Sequence, residues 1–135
     1  MGRRKQSTAK AAAGRGFTLI ELLVVMAVIA TLLTIAVPRY FQHLDRAREA
    51  TLRESLAVMR EAIDKYQADT GRLPESLEDL VRRRYLRKVP VDPITDSGES
   101  WVLVPPPGEA GAKQVWDVKS GAEGHGLDGT DYSAW

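Results

Sequence analysis

Residues 17–37 read FTLIELLVVMAVIATLLTIAV, an apolar run whose single ionisable group is Glu21. As an α-helix at about 1.5 Å per residue this run is about 32 Å long, the thickness of a bilayer's hydrocarbon core. A small domain cannot enclose a helix that is apolar on every side, so the pattern predicts a membrane span. Beyond Pro38 the apolar positions thin to one stripe. Phe41, Leu44, Leu52, Leu56, Met59, Ile63 and Tyr66 recur mostly at spacings of three and four, up to Thr70 and Gly71. That spacing predicts an amphipathic helix over residues 39–70 whose stripe packs on a small sheet. The other face, with Arg46, Arg48, Arg53, Glu54, Arg60, Glu61 and Lys65, reads as a solvated surface of mixed sign. The two segments together predict one helix of about 54 residues, roughly 80 Å long. Pro38 is where it would kink or lose a turn.

The pattern changes after Gly71, a helix stop. LPESLEDLV over residues 73–81 predicts a short helix, with acids in its first turns and Arg82, Arg83 and Arg84 near its end, as the macrodipole favours. The Arg triplet reads as a solvated helix end rather than a nucleic-acid site. Residues 85–93 form an extended, proline-pinned connection. Residues 100–104 and 114–119 are strand candidates joined by a Pro- and Gly-rich loop. They predict a two- to three-stranded antiparallel sheet covering the helix stripe, with Trp101, Trp116 or both in its core. Residues 120–135 are rich in Gly and acids.

Charge changes this picture most. The chain has 135 residues and a formal net charge of +1, but the charges are segregated. Residues 1–16 hold five bases and no acid, leaving 14 bases against 18 acids beyond them. A basic segment before an apolar helix holds that end in the cytoplasm and sends the rest across the membrane. A secretory signal peptide has a shorter apolar run and a small-x-small cleavage site after it. Here the polar leader meets the apolar helix at Gly14-Arg15-Gly16-Phe17, which places a processing site before the span. The length allows one small domain. The chain has no Cys, which excludes disulfides, thiolate metal sites and a cysteine nucleophile. His43 and His125 lie far apart in sequence and assemble no catalytic triad or His-based zinc site. No nucleophile–base–acid set stands out, so an enzyme is not expected.

Glu21 needs a reason. A carboxylate within a membrane span costs roughly 2.5–3.5 kcal/mol on insertion scales. Cleavage after Gly16 would create a positive partner, the α-amine of Phe17, four residues away in one helix or within reach between neighbouring subunits.

Residues 16–25, GFTLIELLVV, resemble the prepilin N-terminus of type IV pilins and of type II secretion pseudopilins. The resemblance implies an α+β, pilin-like fold: a long N-terminal helix, membrane-spanning in its first half, packed by its second half on a small antiparallel sheet with a short helix between. It implies cleavage between Gly16 and Phe17 by a prepilin peptidase, N-methylation of Phe17, and a role for Glu21 in filament assembly. Pro38 falls where this family commonly has proline. The implied organisation is a leader over residues 1–16, a transmembrane or filament-core helix over 17–38, its amphipathic continuation over 39–70, and a periplasmic head over 71–135. YLRKVPVDP over residues 85–93 resembles a pseudopilin element preceding the sheet.

Three acids in the Gly-rich tail could offer oxygens to Ca²⁺, although the spacing is not that of an EF-hand. The order Gly-Ala-acid-Gly, Gly-Thr-Asp and a nearby Trp resembles the calcium-binding end of the major pseudopilin, which implies Glu123, Asp128 and Asp131 as ligands. The implied function is a structural subunit of a type II secretion pseudopilus, anchored in the bacterial inner membrane. The implied partners are further copies of itself, other pseudopilins, the prepilin peptidase and the inner-membrane secretion platform; no nucleic acid is expected. A type IV pilin or minor pilin, acting in adhesion, motility or DNA uptake, is the alternative.

Overall fold

The computed structural model describes residues 2–3 and 15–135. Most of the expected leader, including Arg4, Lys5, Lys10 and Gly14, lies outside the described residues. The elements are α1 (Leu19–Thr70), α2 (Leu77–Arg82), β1 (Val102–Val104), β2 (Asp117–Lys119) and a 3-10 turn at Tyr132–Ala134. This is the pilin-like α+β class that the sequence implied. The chain divides into two units, Met1–Arg39 and Tyr40–Trp135, and α1 contributes to both.

In the first unit α1 begins one residue after Thr18. The Glu21 N–H donates to Thr18 Oγ1 at 3.2 Å, and the Leu22 N–H donates to the Thr18 carbonyl at 3.2 Å. Thr18 is thus the N-cap, satisfying one of the backbone donors that every helix start leaves orphaned. Further along, the Thr31 and Thr34 hydroxyls donate to the Ala27 and Ala30 carbonyls at 2.8 Å, so neither presents an unsatisfied polar group to an apolar surrounding. Pro38, the expected kink, lies inside α1, and the helix continues through it. The apolar side chains from Leu19 to Val37 are exposed along this helix, which is long and apolar enough to cross a membrane.

The second unit has its own core. Leu52, Leu56, Met59, Ala62, Ile63 and Tyr66 form the buried stripe of α1. They pack with Leu77 and Leu80 of α2, and with Leu86, Trp101, Val115 and Val118. Burying each large apolar side chain contributes about 1.5–3 kcal/mol. The stripe starts later than its periodicity predicts. Leu44 is half-buried and Phe41 is 56 % exposed, its ring edge-on to that of Tyr40 with centroids 5.7 Å apart. The reason is that the C-terminal segment reaches back along α1 only as far as Glu49, through Leu127 and Tyr132.

α1 stops at Gly71, whose φ of +70° suits a residue without Cβ. α2 is shorter than the predicted 73–81 because Pro74 precedes it and Ser76 caps it, accepting from the Asp79 N–H at 3.2 Å. Arg82 pairs with Asp79 one turn back, Arg83 is the C-cap, and its guanidinium lies 5.7 Å from the Tyr66 ring centroid. The Arg triplet is therefore a helix end, as the macrodipole argument expects.

β1 and β2 pair antiparallel, Val102 with Lys119, Leu103 with Val118 and Val104 with Asp117. Both are shorter than their sequence candidates, and the sheet has two strands among the described residues. Of the two tryptophans, Trp101 enters the core at 8 % exposure while Trp116 remains 48 % exposed. Trp101 is oriented by its indole N–H, which donates to the Pro90 carbonyl at 2.8 Å.

The proline-pinned connection does more than join elements. Asp92 is completely buried. Its Oδ1 accepts from the Ile94 N–H at 2.8 Å, and its Oδ2 from the Ser120 hydroxyl at 2.6 Å. The Asp92 N–H donates to the Ser97 carbonyl at 3.0 Å. One side chain thereby ties the turn after residue 92 to the segment leaving β2.

Candidate functional site

Two regions carry the residues singled out from sequence, and they lie in different units. In the first, Arg15, Gly16, Phe17 and Thr18 precede the helix as exposed, non-helical backbone. Phe17 is 87 % exposed. The Gly16–Phe17 bond lies in exposed, non-helical backbone ahead of the Thr18 cap, the kind of backbone an enzyme can reach. An ideal Cβ built on Gly16 meets nothing within 4 Å, so the surroundings leave this position open to an enzyme's cleft. Glu21 stands in the first turn of α1, exposed on an otherwise apolar surface. A carboxylate in the first turn also complements the helix dipole.

Thr18 was missed by periodicity, although Thr18-x-x-Glu21 has the spacing of a capping box. The structure makes the half of that box in which the threonine oxygen receives the glutamate N–H.

The second region is the C-terminal segment. The Gly126 N–H donates to the Thr130 carbonyl at 2.8 Å, and the Tyr132 N–H to the Gly124 carbonyl at 3.1 Å, closing a compact loop. Asp128 organises its tip. Its Oδ1 accepts from the Thr130 N–H at 2.9 Å and from the Thr130 hydroxyl at 2.6 Å, and its Oδ2 from Arg53 Nη2 at 3.1 Å. The Thr130 bonds first, then Arg53, hold the Asp128 carboxyl below its ordinary value. Glu123 and Asp131 lie elsewhere, lining an open cleft of about 430 Å³ with Ser120 and Ser133. The structure thus brings two of the three expected acids to one cleft and turns the third toward α1. Among the described residues no three acidic or histidine side chains gather as a metal ion requires. As folded, these three carboxylates do not fit a calcium cage.

What does converge on the segment is a row of polar residues on α1. Glu49 Oε1 accepts from the Leu127 N–H at 2.7 Å and from the Tyr132 hydroxyl at 3.3 Å. Burial first, then the charge of Glu49, raises the Tyr132 phenol and keeps it a donor. Arg53 reaches Asp128, and its guanidinium lies 4.1 Å from the centroid of the Trp135 ring. Arg60 donates to Asp117 Oδ1, the Val118 carbonyl and the Trp135 backbone oxygen at 2.8–2.9 Å. Arg53 and Arg60 were expected on a purely solvated face. Their partners, 57 to 75 residues away, correct that expectation. Helical spacing places 49, 53 and 60 along one line of the helix, but nothing local indicates what they meet.

A capped apolar helix long enough to cross a membrane and a small α+β head define a membrane-anchored protein. The family model for the prokaryotic N-terminal methylation motif matches residues 13–37. The chain is 29 % identical to type II secretion system core protein G of Pseudomonas aeruginosa, covering 100 % of this chain and 99 % of that protein. It is 28 % identical to the core protein G of Escherichia coli, over 90 % of each. A match to competence protein ComGC of Halalkalibacterium halodurans, at 30 % identity, covers 53 % of this chain and 70 % of that protein. No solved structure gives a significant match. The chain carries the prokaryotic N-terminal methylation motif at the head of its apolar helix. Its likeness to type II secretion system core protein G runs the length of the chain.

Proposed function

We propose that the chain is a structural subunit of a type II secretion pseudopilus, a periplasmic filament assembled from membrane-anchored precursors to drive protein export. The observation that carries this reading is the full-length likeness to core protein G. The basic leader holds the N-terminus in the cytoplasm and places the head in the periplasm. A prepilin peptidase cleaves between Gly16 and Phe17, and the new amine of Phe17 is then methylated. The apolar half of α1 waits in the inner membrane until it packs against its copies in the filament core. Glu21 meets the Phe17 amine of a neighbour, so that two costly charges leave lipid as one neutral pair and set the axial register. The work is mechanical rather than enzymatic, and the driving force comes from the inner-membrane secretion platform. Other pseudopilins are further partners.

The competence match supports a second reading, a pilin of a surface filament. It spans about half of the chain, whereas the matches to the core protein G of Pseudomonas aeruginosa and of Escherichia coli span nearly all of it.

The test is filament formation when the full chain is produced with a prepilin peptidase and a type II assembly platform. Wild type should give filaments visible by electron microscopy. Glu21→Leu should enter the membrane fraction at wild-type levels yet give few or none. Equal filament yield from the two proteins would remove the charge-pairing role. Filaments that form only with a pilus platform would favour the second reading.

A further inference from the structure

We propose that Arg53 supplies the positive charge that closes the C-terminal loop of the head, so the loop holds its fold without a divalent cation. The inference stands on the head alone and does not depend on the secretion reading. Asp128 is the acid at the loop tip, and both of its oxygens are occupied by groups of this chain: Thr130 on one side, Arg53 on the other. A cation binding Asp128 would share a carboxylate that already accepts three bonds from this chain and would sit beside a guanidinium, an arrangement that like charge disfavours.

Arg53 is held for this task. Its guanidinium lies 4.1 Å from the Trp135 ring centroid, a cation–π distance, and the Trp135 indole N–H donates to Thr130 Oγ1 at 2.6 Å. The four residues therefore form a closed circuit: Arg53 to Asp128, Asp128 to Thr130, Thr130 to Trp135, and Trp135 back to Arg53. One turn earlier on α1, Glu49 takes the Leu127 N–H at 2.7 Å and fixes the loop to the same helix face. Gly126 fits the loop to both anchors. A Cβ there would fall 2.5 Å from Trp135 Cζ2 and 3.1 Å from Glu49 Oε1. Loop, helix and tryptophan are mutually shaped around an internal cation.

The test is amide hydrogen exchange over residues 124–135 of the full chain in detergent micelles, with millimolar Ca²⁺ or with EGTA. Wild type should exchange at the same rate in both. Arg53→Leu should exchange about threefold to tenfold faster at the loop amides, the loss expected for one exposed ion pair with its aromatic stack. Asp128→Asn, nearly isosteric, should act in the same direction and guards against a simple packing defect in the Arg53 variant. Arg53→Lys should fall between wild type and Arg53→Leu, because an ammonium keeps the charge and loses the planar stack. Slower exchange of the wild-type loop in Ca²⁺ would overturn the proposal, as would unchanged exchange in both Arg53→Leu and Asp128→Asn.

Discussion

Asp92 is the residue whose replacement should cost the head most. It is completely buried, and three protein donors are directed at it: the Ile94 N–H at 2.8 Å, the Thr95 N–H at 3.4 Å and the Ser120 hydroxyl at 2.6 Å. Asp92→Ala removes the acceptor and leaves these donors facing a cavity. The Thr95 bond is long and is set aside. The Ser120 hydroxyl can rotate, but its oxygen is already held by the Ala122 N–H at 3.1 Å, so it has little freedom to find water. The Ile94 N–H cannot rotate at all. A hydrogen bond to a charged group is worth about 1.5–3 kcal/mol, and an orphaned buried donor carries a penalty of similar size, so the expected loss is about 2–4 kcal/mol. At roughly 4–8 °C per kcal/mol for a domain of this size, Tm should fall by about 8–30 °C. Asp92→Asn keeps an oxygen for the Ile94 N–H and offers an amide to Ser120 Oγ, so its loss should be nearer 1 kcal/mol. Near-UV circular dichroism of the full chain in detergent is the assay, because Trp101 is fixed to the Pro90 carbonyl in the same connection. Glu99→Ala, at an exposed position a few residues on, should stay within about 0.5 kcal/mol of wild type. A Tm for Asp92→Ala matching that of Glu99→Ala would refute the reasoning, and with it the idea that this buried carboxylate ties the two segments together.

Two further outcomes follow from the two site regions. The folded Asp128 carboxyl sits below its ordinary value, so its contribution to loop closure is present above the ordinary carboxylate range and is lost as pH falls through the depressed value. A carboxyl NMR titration should place its midpoint below that of a free Asp; Thr130→Val should raise it more than Arg53→Leu does, in the order of their contributions, and an unshifted wild-type midpoint would contradict this. At the junction, Gly16→Val should leave α1 intact, since Gly16 has open space around it, yet block removal of residues 1–16 by a coexpressed prepilin peptidase. Loss of the leader's mass from the variant at the wild-type rate would count against cleavage at this bond.

The parts of the fold that were legible in the sequence are those fixed by neighbours in the chain. The apolar run, the stripe from Leu52 to Tyr66 and the stop at Gly71 all follow from spacing, and all are present. Thr18 was equally local and could have been read from its position three residues before Glu21. Phe41 was misplaced because periodicity reports a face, not how far the covering sheet extends along it. The strands came out short because their ends are held by the Asp92 turn and the Arg60 contacts, which no local pattern reveals. Asp92 read as part of a proline-pinned linker, since the signal for a buried carboxylate lies in Ser120, 28 residues away.

The tail shows the same limit with larger consequences for chemistry. Three carboxylates on a Gly-rich backbone describe a possible cation site equally well whether the cation is an ion or a side chain. The sequence could not distinguish these, because the competing cation, Arg53, lies 75 residues upstream on a helix face that looks solvated. Charge on such a face is ordinarily of little energetic weight, and each of these exposed pairs taken alone stays small. Their effect comes from alignment. Glu49, Arg53 and Arg60 lie on one line of α1 and engage Leu127, Asp128 and Trp135 in matching order along the returning chain. One rigid element thereby fixes the loop at three points, and each contact orders groups that the next one uses. If that coupling holds, Arg53→Leu and Glu49→Gln should accelerate loop exchange by more together than the product of their separate effects. Independent effects would reduce the row to three unrelated surface pairs.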